Sequence, residues 1–263
     1  MGYKSLQECV VDLERNGHLI RIKEEVDPYL EMASIHMRVY DAQGPALYFE
    51  NVKGSKFPAV SNLFGTLDRS KFMFRDTLEH VKNLVDVKMN PMSVLKKPLQ
   101  YAGSSMVALG ALPWKKKSSA PILYGQTKIS ELPQIVNWPM DGGAFVTMPQ
   151  VYTEDISKPG IMNANLGMYR IQLGGNDYIQ DQEVGLHYQL HRGIGIHQTK
   201  ANELGKPLKV VYLLVVRLPT RFQLLCHYLK DFLKCCLQGH WEIAGFGIFM
   251  TKRVFAYQRM LIL

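Results

Sequence analysis

Cysteine is scarce in this chain of 263 residues: the four are Cys9, Cys226, Cys235 and Cys236. None forms a CxxC pair or a spacing suited to zinc, so neither a disulfide scaffold nor a structural zinc site is expected. Long apolar runs are also lacking. The longest, Val210 to Val216, falls far short of the roughly 20 residues that span a bilayer. The opening Met1-Gly2-Tyr3-Lys4-Ser5-Leu6-Gln7-Glu8 has no continuous apolar core, which argues against a secretory signal and for a cytoplasmic protein with no membrane span. Acidic residues are in deficit, 23 against 31 Lys and Arg, for a formal charge of +8. Residues 211–263 supply +5 of that surplus, with seven Lys/Arg against two Asp/Glu. The rest is nearly balanced, so no nucleic-acid partner is expected.

An apolar fraction of 47% with 21% charged residues is that of a globular protein. Leu6, Cys9, Val10 and Leu13 recur at helical spacing, Gly17 supplies a stop, and His18–Ile22 alternates like a strand. Asp27-Pro28 is expected to open a second helix with Leu30, Ile35 and Val39 on one face, ended by Gly44-Pro45 before a strand at Ala46–Phe49. Phe57–Val60 looks like the next strand, and Thr77, Val81, Leu84 and Val85 share a side of a third helix. Such alternation predicts an α/β layer domain over residues 1–90. Pro91, Pro98, Pro113 and Lys115-Lys116-Lys117-Ser118-Ser119 suggest a linker over 91–121. From Ile122 the pattern becomes short strands with Gly-rich turns: Phe145–Met148, Met162–Leu173, a hairpin connection at Gly174-Gly175-Asn176-Asp177, and Gly185–Leu190. A barrel or compact sheet over 122–210 is expected, making the whole an α+β chain.

The chemistry-bearing residues cluster late. Asn165 and His191 are oxygen and nitrogen donors on neighbouring strand-like segments, and Arg170 lies five residues beyond Asn165. That odd offset puts Asn165 and Arg170 on opposite faces of a strand unless Gly167 permits a kink. An amide oxygen and an imidazole suit Mn²⁺ or Mg²⁺ bridging to a phosphate, but a third ligand, normally a carboxylate, is needed. Arg192-Gly193-Ile194-Gly195-Ile196-His197 does not form the GxGxxG signature. Taken singly, a histidine on an apolar strand is more often structural than a ligand, and these residues alone support no more than an anion site.

The segment Asn165-Leu166-Gly167-Met168-Tyr169-Arg170-Ile171-Gln172, followed by His191-Arg192-Gly193, resembles the cofactor-binding region of the UbiD-type reversible decarboxylases. Gly44-Pro45-Ala46-Leu47-Tyr48-Phe49-Glu50-Asn51-Val52-Lys53-Gly54, Asn62-Leu63-Phe64-Gly65-Thr66 and Leu132-Pro133-Gln134-Ile135-Val136-Asn137-Trp138-Pro139 are similar to further signatures of that family. The resemblance covers residues 3–210. It implies a split β-barrel that binds prenylated flavin mononucleotide, with Mn²⁺ or Mg²⁺, and K⁺ as a further candidate, at the flavin phosphate. Asn165 and His191 match two metal ligands. Met168, Tyr169, Arg170, His187, Tyr188, Gln189, Arg192 and Gly193 match the flavin-lining segments. Arg170 also matches the catalytic arginine, which pairs with the substrate carboxylate and with an acidic partner, work suited to a planar fork that never loses its charge. The implied reaction is non-oxidative removal of CO₂ from an aromatic or α,β-unsaturated acid such as a 4-hydroxybenzoate-type compound, with proton return by a glutamate. The implied partners are a flavin prenyltransferase as cofactor supplier and further copies of the chain, since family members homo-oligomerise.

After Lys209-Val210 the family-like text stops. The family's glutamate-bearing segments are not found in Val215-Val216-Arg217-Leu218-Pro219-Thr220-Arg221 or beyond, and only three glycines follow Val210. Read one base out of frame, Leu214–Thr220 gives Gly-Gly-Ser-Pro-Ala-His, and Phe222–Phe232 gives Phe-Ser-Ala-Ile-Met-Pro-Leu-Pro-Glu-Gly-Phe, as the family writes there. A frameshift near Val210–Val211 is therefore expected, leaving 211–263 as a non-family tail, the C-terminal family domain absent, and catalysis negligible. Two other readings stay open: a catalytically dead flavin-phosphate-binding fragment, and a pseudogene product.

Overall fold

The computed structural model of the chain describes residues 3, 5–90, 92, 126–160, 163–214 and 248–249. The expected linker lies almost wholly outside the described residues, as does the tail beyond residue 214 apart from residues 248–249.

Helix α1 (Leu6–Arg15) is started by Ser5, whose hydroxyl accepts the Glu8 N–H, and it buries Cys9, Val10 and Leu13 as the spacing predicts. Burial pushes the Cys9 thiol up to about 12, so it packs as a small apolar group. Strand β1 (Leu19–Val26) pairs in parallel with β2 (Ala46–Val52), and α2 (Glu31–Asp41) makes the crossover. Asp27 does not open this helix. Its carboxylate accepts from Tyr29 N while Glu31 accepts from Asp27 N, which forms a local turn and delays the helix to Glu31, with Leu30 at φ 63°. Leu30 thus leaves the expected face, and Met32, Ile35 and Val39 pack with Leu47 and Phe49.

Strand β3 (Ala59–Ser61) is antiparallel to β2, giving the order β1-β2-β3. Two helices follow where one was expected: α3 (Leu67–Met73), capped by Thr66, and α4 (Arg75–Met89). Helix α3 buries Arg69, only 2% exposed, and aims its guanidinium at three backbone carbonyls, those of Leu63, Gly44 and Asn62. These are the loop ends that close the sheet. Arg69→Met is expected to destabilise the chain by about 3 kcal/mol, because those acceptors would lose charge-assisted donors. Urea denaturation monitored by circular dichroism measures this, and a change under about 1 kcal/mol would contradict it.

The later part begins with a short 3₁₀ turn, Ile129–Glu131, stitched to the first part by Ser55 Oγ donating to Glu131 O and by Leu30 N–H donating to Val136 O. Its strands are β4 (Phe145–Val146), β5 (Gln150–Glu154), β6 (Ala164–Met168), β7 (Ile171–Gln172), β8 (Gly185–Leu186), β9 (Val210–Leu213) and β10 (Ile248–Phe249), with helix α5 (Gly193–Glu203) between β8 and β9. Among the described residues they form two sheets, β10-β9-β5-β6 and β4-β7-β8, and no closed barrel. Strand β9 crosses the expected boundary at Val210 and pairs with β5 through Leu213. Helix α5 packs on the Val151 side of β5, burying Ile194 and Ala201.

Two expectations are corrected here. Gly185–Leu190 is a strand only to Leu186, and the residues from Gly193 on, to which the sequence assigned no element, form a helix. Met162–Leu173 is broken at Tyr169-Arg170, not kinked at Gly167. Gly174–Asp177 lies, as expected, in a hairpin connection, the stretch 173–184 between the antiparallel pair β7 and β8.

Candidate functional site

The break at Tyr169-Arg170 carries the chain from β6, which holds Asn165, into β7 of the other sheet. Asn165 sits in β6, on the face covered by α5, and its register partner is Thr153 of β5. Its Nδ2 donates to Tyr169 Oη at 3.3 Å. Its Oδ1 lies so close to Gly193 that a Cβ there would be 2.2 Å away. The Tyr169 ring meets Tyr188 edge-on at 6.4 Å. The next residue turns away into the other sheet: Arg170 O accepts from His187 N, and its guanidinium stacks 3.7 Å over the Phe145 ring. His187 packs against the same ring at 5.7 Å. One run of contacts therefore leads from the start of α5, through Asn165, Tyr169 and Tyr188, to His187, Phe145 and Arg170.

The start of α5 has no side-chain cap. Arg192 is its N-cap, and no acidic residue occupies the first turn. Free N–H groups and the positive end of the helix dipole favour an anion here. Two glycines make this start possible. A Cβ at Gly193 would strike Asn165, and one at Gly195 would lie 2.1 Å from the Leu190 carbonyl oxygen, so the chain carrying His191 folds tightly over the first turn. The Gly-Ile-Gly text is the opening of a helix. His191 and Gln189 are exposed on that approach, and Arg192 Nε donates to Gln189 Oε1 at 3.3 Å. His191 thus lies on a turn before a helix and not on a strand beside Asn165.

At the other end, Arg170 Nη2 donates to Asp141 Oδ2 at 2.8 Å. The Arg170 side chain is 38% exposed and that of Asp141 11%, so the carboxylate is the more buried member of the pair. Asp141 precedes Gly142-Gly143, and Gln172, 2% exposed, donates to both Gly142 O and Gly174 O, clasping two turns together. Sequence reasoning missed Asp141, because nothing in Trp138-Pro139-Met140-Asp141 announces a partner 29 residues away. Burial and the nearby Arg170 charge hold the His187 imidazole below its ordinary range, so it stays neutral at neutral pH.

Met168 is set apart from this run. It packs with Leu166, Tyr152 and Val211 on the other face of β6. Among the described residues no group of three or more His, Cys, Asp or Glu could hold a metal ion. No helix among the described residues is long and apolar enough to cross a membrane.

Residues 10–88 match the 3-octaprenyl-4-hydroxybenzoate carboxy-lyase N-terminal domain, and 115–217 match the Rift-related domain of the same UbiD family. A 4-hydroxybenzoate decarboxylase component from Chlamydia pneumoniae is 36% identical over 201 residues, 73% of this chain and 32% of that protein. An uncharacterized protein of Chlamydia muridarum is 36% identical over 213 residues, 80% of this chain and 35% of its own length. The chain thus spans about a third of these relatives. In fold it is similar to the vanillic acid decarboxylase of Sedimentibacter hydroxybenzoicus in closed form, with a TM-score of 0.70 at 23% identity over 91% of this chain and 50% of that one. It is also similar to the UbiD-class enzyme HmfF of Pelotomaculum thermopropionicum in complex with FMN, with a TM-score of 0.65 at 20% identity over 88% of this chain and 47% of that one.

Proposed function

Because this chain belongs to the UbiD family of carboxy-lyases, we propose that it carries the flavin-binding and carboxylate-recognising part of a decarboxylase. The observation that carries the reading is the single run of contacts between a helix start without a side-chain cap at Gly193 and a half-exposed arginine at Arg170. One end suits a phosphate and the other a carboxylate, which is the layout needed to lay a phosphorylated ring system beside an acid substrate. We take the two sheets as parts of a split barrel around that ring.

The cofactor in this reading is prenylated FMN, which, when bound, supplies the electron sink for loss of CO₂. The residues fit it. The Gly193 end of α5 and the Asn165 amide present a cradle for the phosphate, with His191 on the approach as the second donor for a Mn²⁺ or Mg²⁺ ion. Tyr169, Tyr188 and His187 provide the flanking rings. Arg170 holds the substrate carboxylate, while Asp141 and the Phe145 face keep the guanidinium from swinging. The substrate class is an aromatic or α,β-unsaturated acid of the 4-hydroxybenzoate type. That choice is supported by the 4-hydroxybenzoate decarboxylase and vanillic acid decarboxylase among the similar proteins.

Anaerobic reconstitution of the full chain with prenylated FMN and Mn²⁺, followed by CO₂ release from 4-hydroxybenzoate and vanillate, tests the proposal. Stoichiometric flavin uptake with negligible CO₂ release is the result expected of a chain that carries this part alone, turnover at an enzyme-like pace overturns the expected loss of catalysis, and no flavin uptake overturns the reading. The frameshift proposed for the text after Val210 is tested separately on the coding DNA, where adding or removing one base must restore a long family-like frame.

A further inference from the structure

Helix α5 carries a second set of polar contacts that carboxylate chemistry does not use. His197 is 8% exposed, and its Nδ1 lies 2.9 Å from Thr153 Oγ1, itself fully buried in β5. Lys200 pairs with the carboxylate of Asp155, just past the end of β5. Gly193, His197 and Lys200 are spaced at i, i+4 and i+7, so they run along one stripe of the helix. Thr153 is also the register partner of Asn165. A single cross-strand pair therefore holds the helix at one side chain and faces its first residue with the other.

This arrangement decides the rotational phase of the helix. The buried apolar residues that α5 packs into the core with Val151 are Ile194 and Ala201, a contact without direction, whereas a hydrogen bond is directional. A slip of one residue turns the helix by about 100° and would carry Gly193 away from Asn165. A hydrogen bond between two buried side chains has one register in which it can form, and a misplaced helix would leave both groups unpaired. Burial holds the His197 imidazole below its ordinary range, so the contact is one between neutral groups at neutral pH.

We infer that His197, through Thr153, is the positioning residue that sets the phase of α5 and so presents the Gly193 end of the helix, beside Asn165, to the flavin phosphate. The inference rests on the phosphate reading given above. Its test compares FMN with riboflavin, which share the ring and differ in the phosphate, by flavin fluorescence titration of the full chain with Mn²⁺ present. The proteins are the wild type, Thr153→Val, His197→Leu and His197→Asn, with thermal melting in parallel. Thr153→Val and His197→Leu are expected to lower the preference for FMN about tenfold while riboflavin affinity moves less than about twofold. His197→Asn, which keeps a polar atom near the position of Nδ1, is expected to recover most of it.

A purely structural role would weaken both flavins together, and that outcome overturns the inference. Should His197→Leu fail to fold, Thr153→Val decides, since it keeps the side-chain shape. A wild type that prefers FMN with variants that keep the preference defeats the positioning role alone. A wild type with no preference for FMN defeats the phosphate reading and the positioning role with it.

Discussion

Gly193→Ala is expected to leave the chain folded and to weaken FMN binding by about 100-fold, the upper range for losing a group that orients a ligand-binding side chain. The added Cβ would lie 2.2 Å from Asn165 Oδ1 and 2.7 Å from its Cγ. What it strikes is the far end of a side chain, which can rotate away at low cost and takes with it both the amide oxygen and the contact to Tyr169. The helix itself gains from the change, since alanine reduces the freedom of the unfolded chain by about 0.4–1 kcal/mol. Gly195→Ala is the informative contrast. Its Cβ would meet the Leu190 oxygen at 2.1 Å and the carbonyl carbon at 2.6 Å. Backbone has to move there, so a loss of about 2–3 kcal/mol in folding stability is expected. Titration with FMN and riboflavin, beside urea denaturation of both variants, checks the pair. Native FMN affinity in Gly193→Ala would show that the Asn165 amide does not face the phosphate.

The second large effect concerns Arg170. In the flavin-loaded protein, Arg170→Ala is expected to weaken 4-hydroxybenzoate binding by about 100-fold, near the 1.5–3 kcal/mol of a charge-assisted contact. It also strands Asp141, 11% exposed, without its cation. Arg170→Lys keeps the charge but neither the planar fork nor the stacking on Phe145, and a loss of about 30-fold is expected. Asp141→Asn keeps the shape and removes the charge. It is expected to bind the acid within about threefold of wild type while any turnover drops about tenfold, because the guanidinium is less firmly aimed. Calorimetric titration measures the binding, and CO₂ release measures the turnover. Equal binding of 4-hydroxybenzoate by wild type and Arg170→Ala would remove Arg170 from carboxylate recognition.

The layered first part was legible because its signals are local. The Leu6–Leu13 stripe and Gly17 each act over a few neighbouring residues, and the same holds for Gly44-Pro45 before β2. Helix α3 escaped because seven residues are too few to show a period, and its anchor, Arg69, reads as a surface residue until its three carbonyls are in place. Strand β5 was missed for a related reason. Gln150, Val151, Tyr152, Thr153 and Glu154 mix polar and apolar residues without simple alternation, yet Gln150, Val151 and Thr153 are all buried because both faces are covered. Helix α5 was not read at all. Gly193 and Gly195 weigh against a helix, and only the close approach of Asn165 and of the Leu190 backbone explains why glycine opens one here.

By itself the sequence determined the helix, strand and helix order of the first part and the family, and it supplied the residue types proposed for the site, an amide, an imidazole and a guanidinium. The tertiary structure decided how they meet. It placed the chain break at Tyr169-Arg170, set Asp141 against Arg170, seated Asn165 at the head of α5, and locked that helix through His197 and Thr153. The physical reason is range. Capping, turns and periodicity act over a few residues and are written in neighbouring letters, whereas ion pairs and buried hydrogen bonds join positions 29 and 44 residues apart and exist only once the sheets have set the distances.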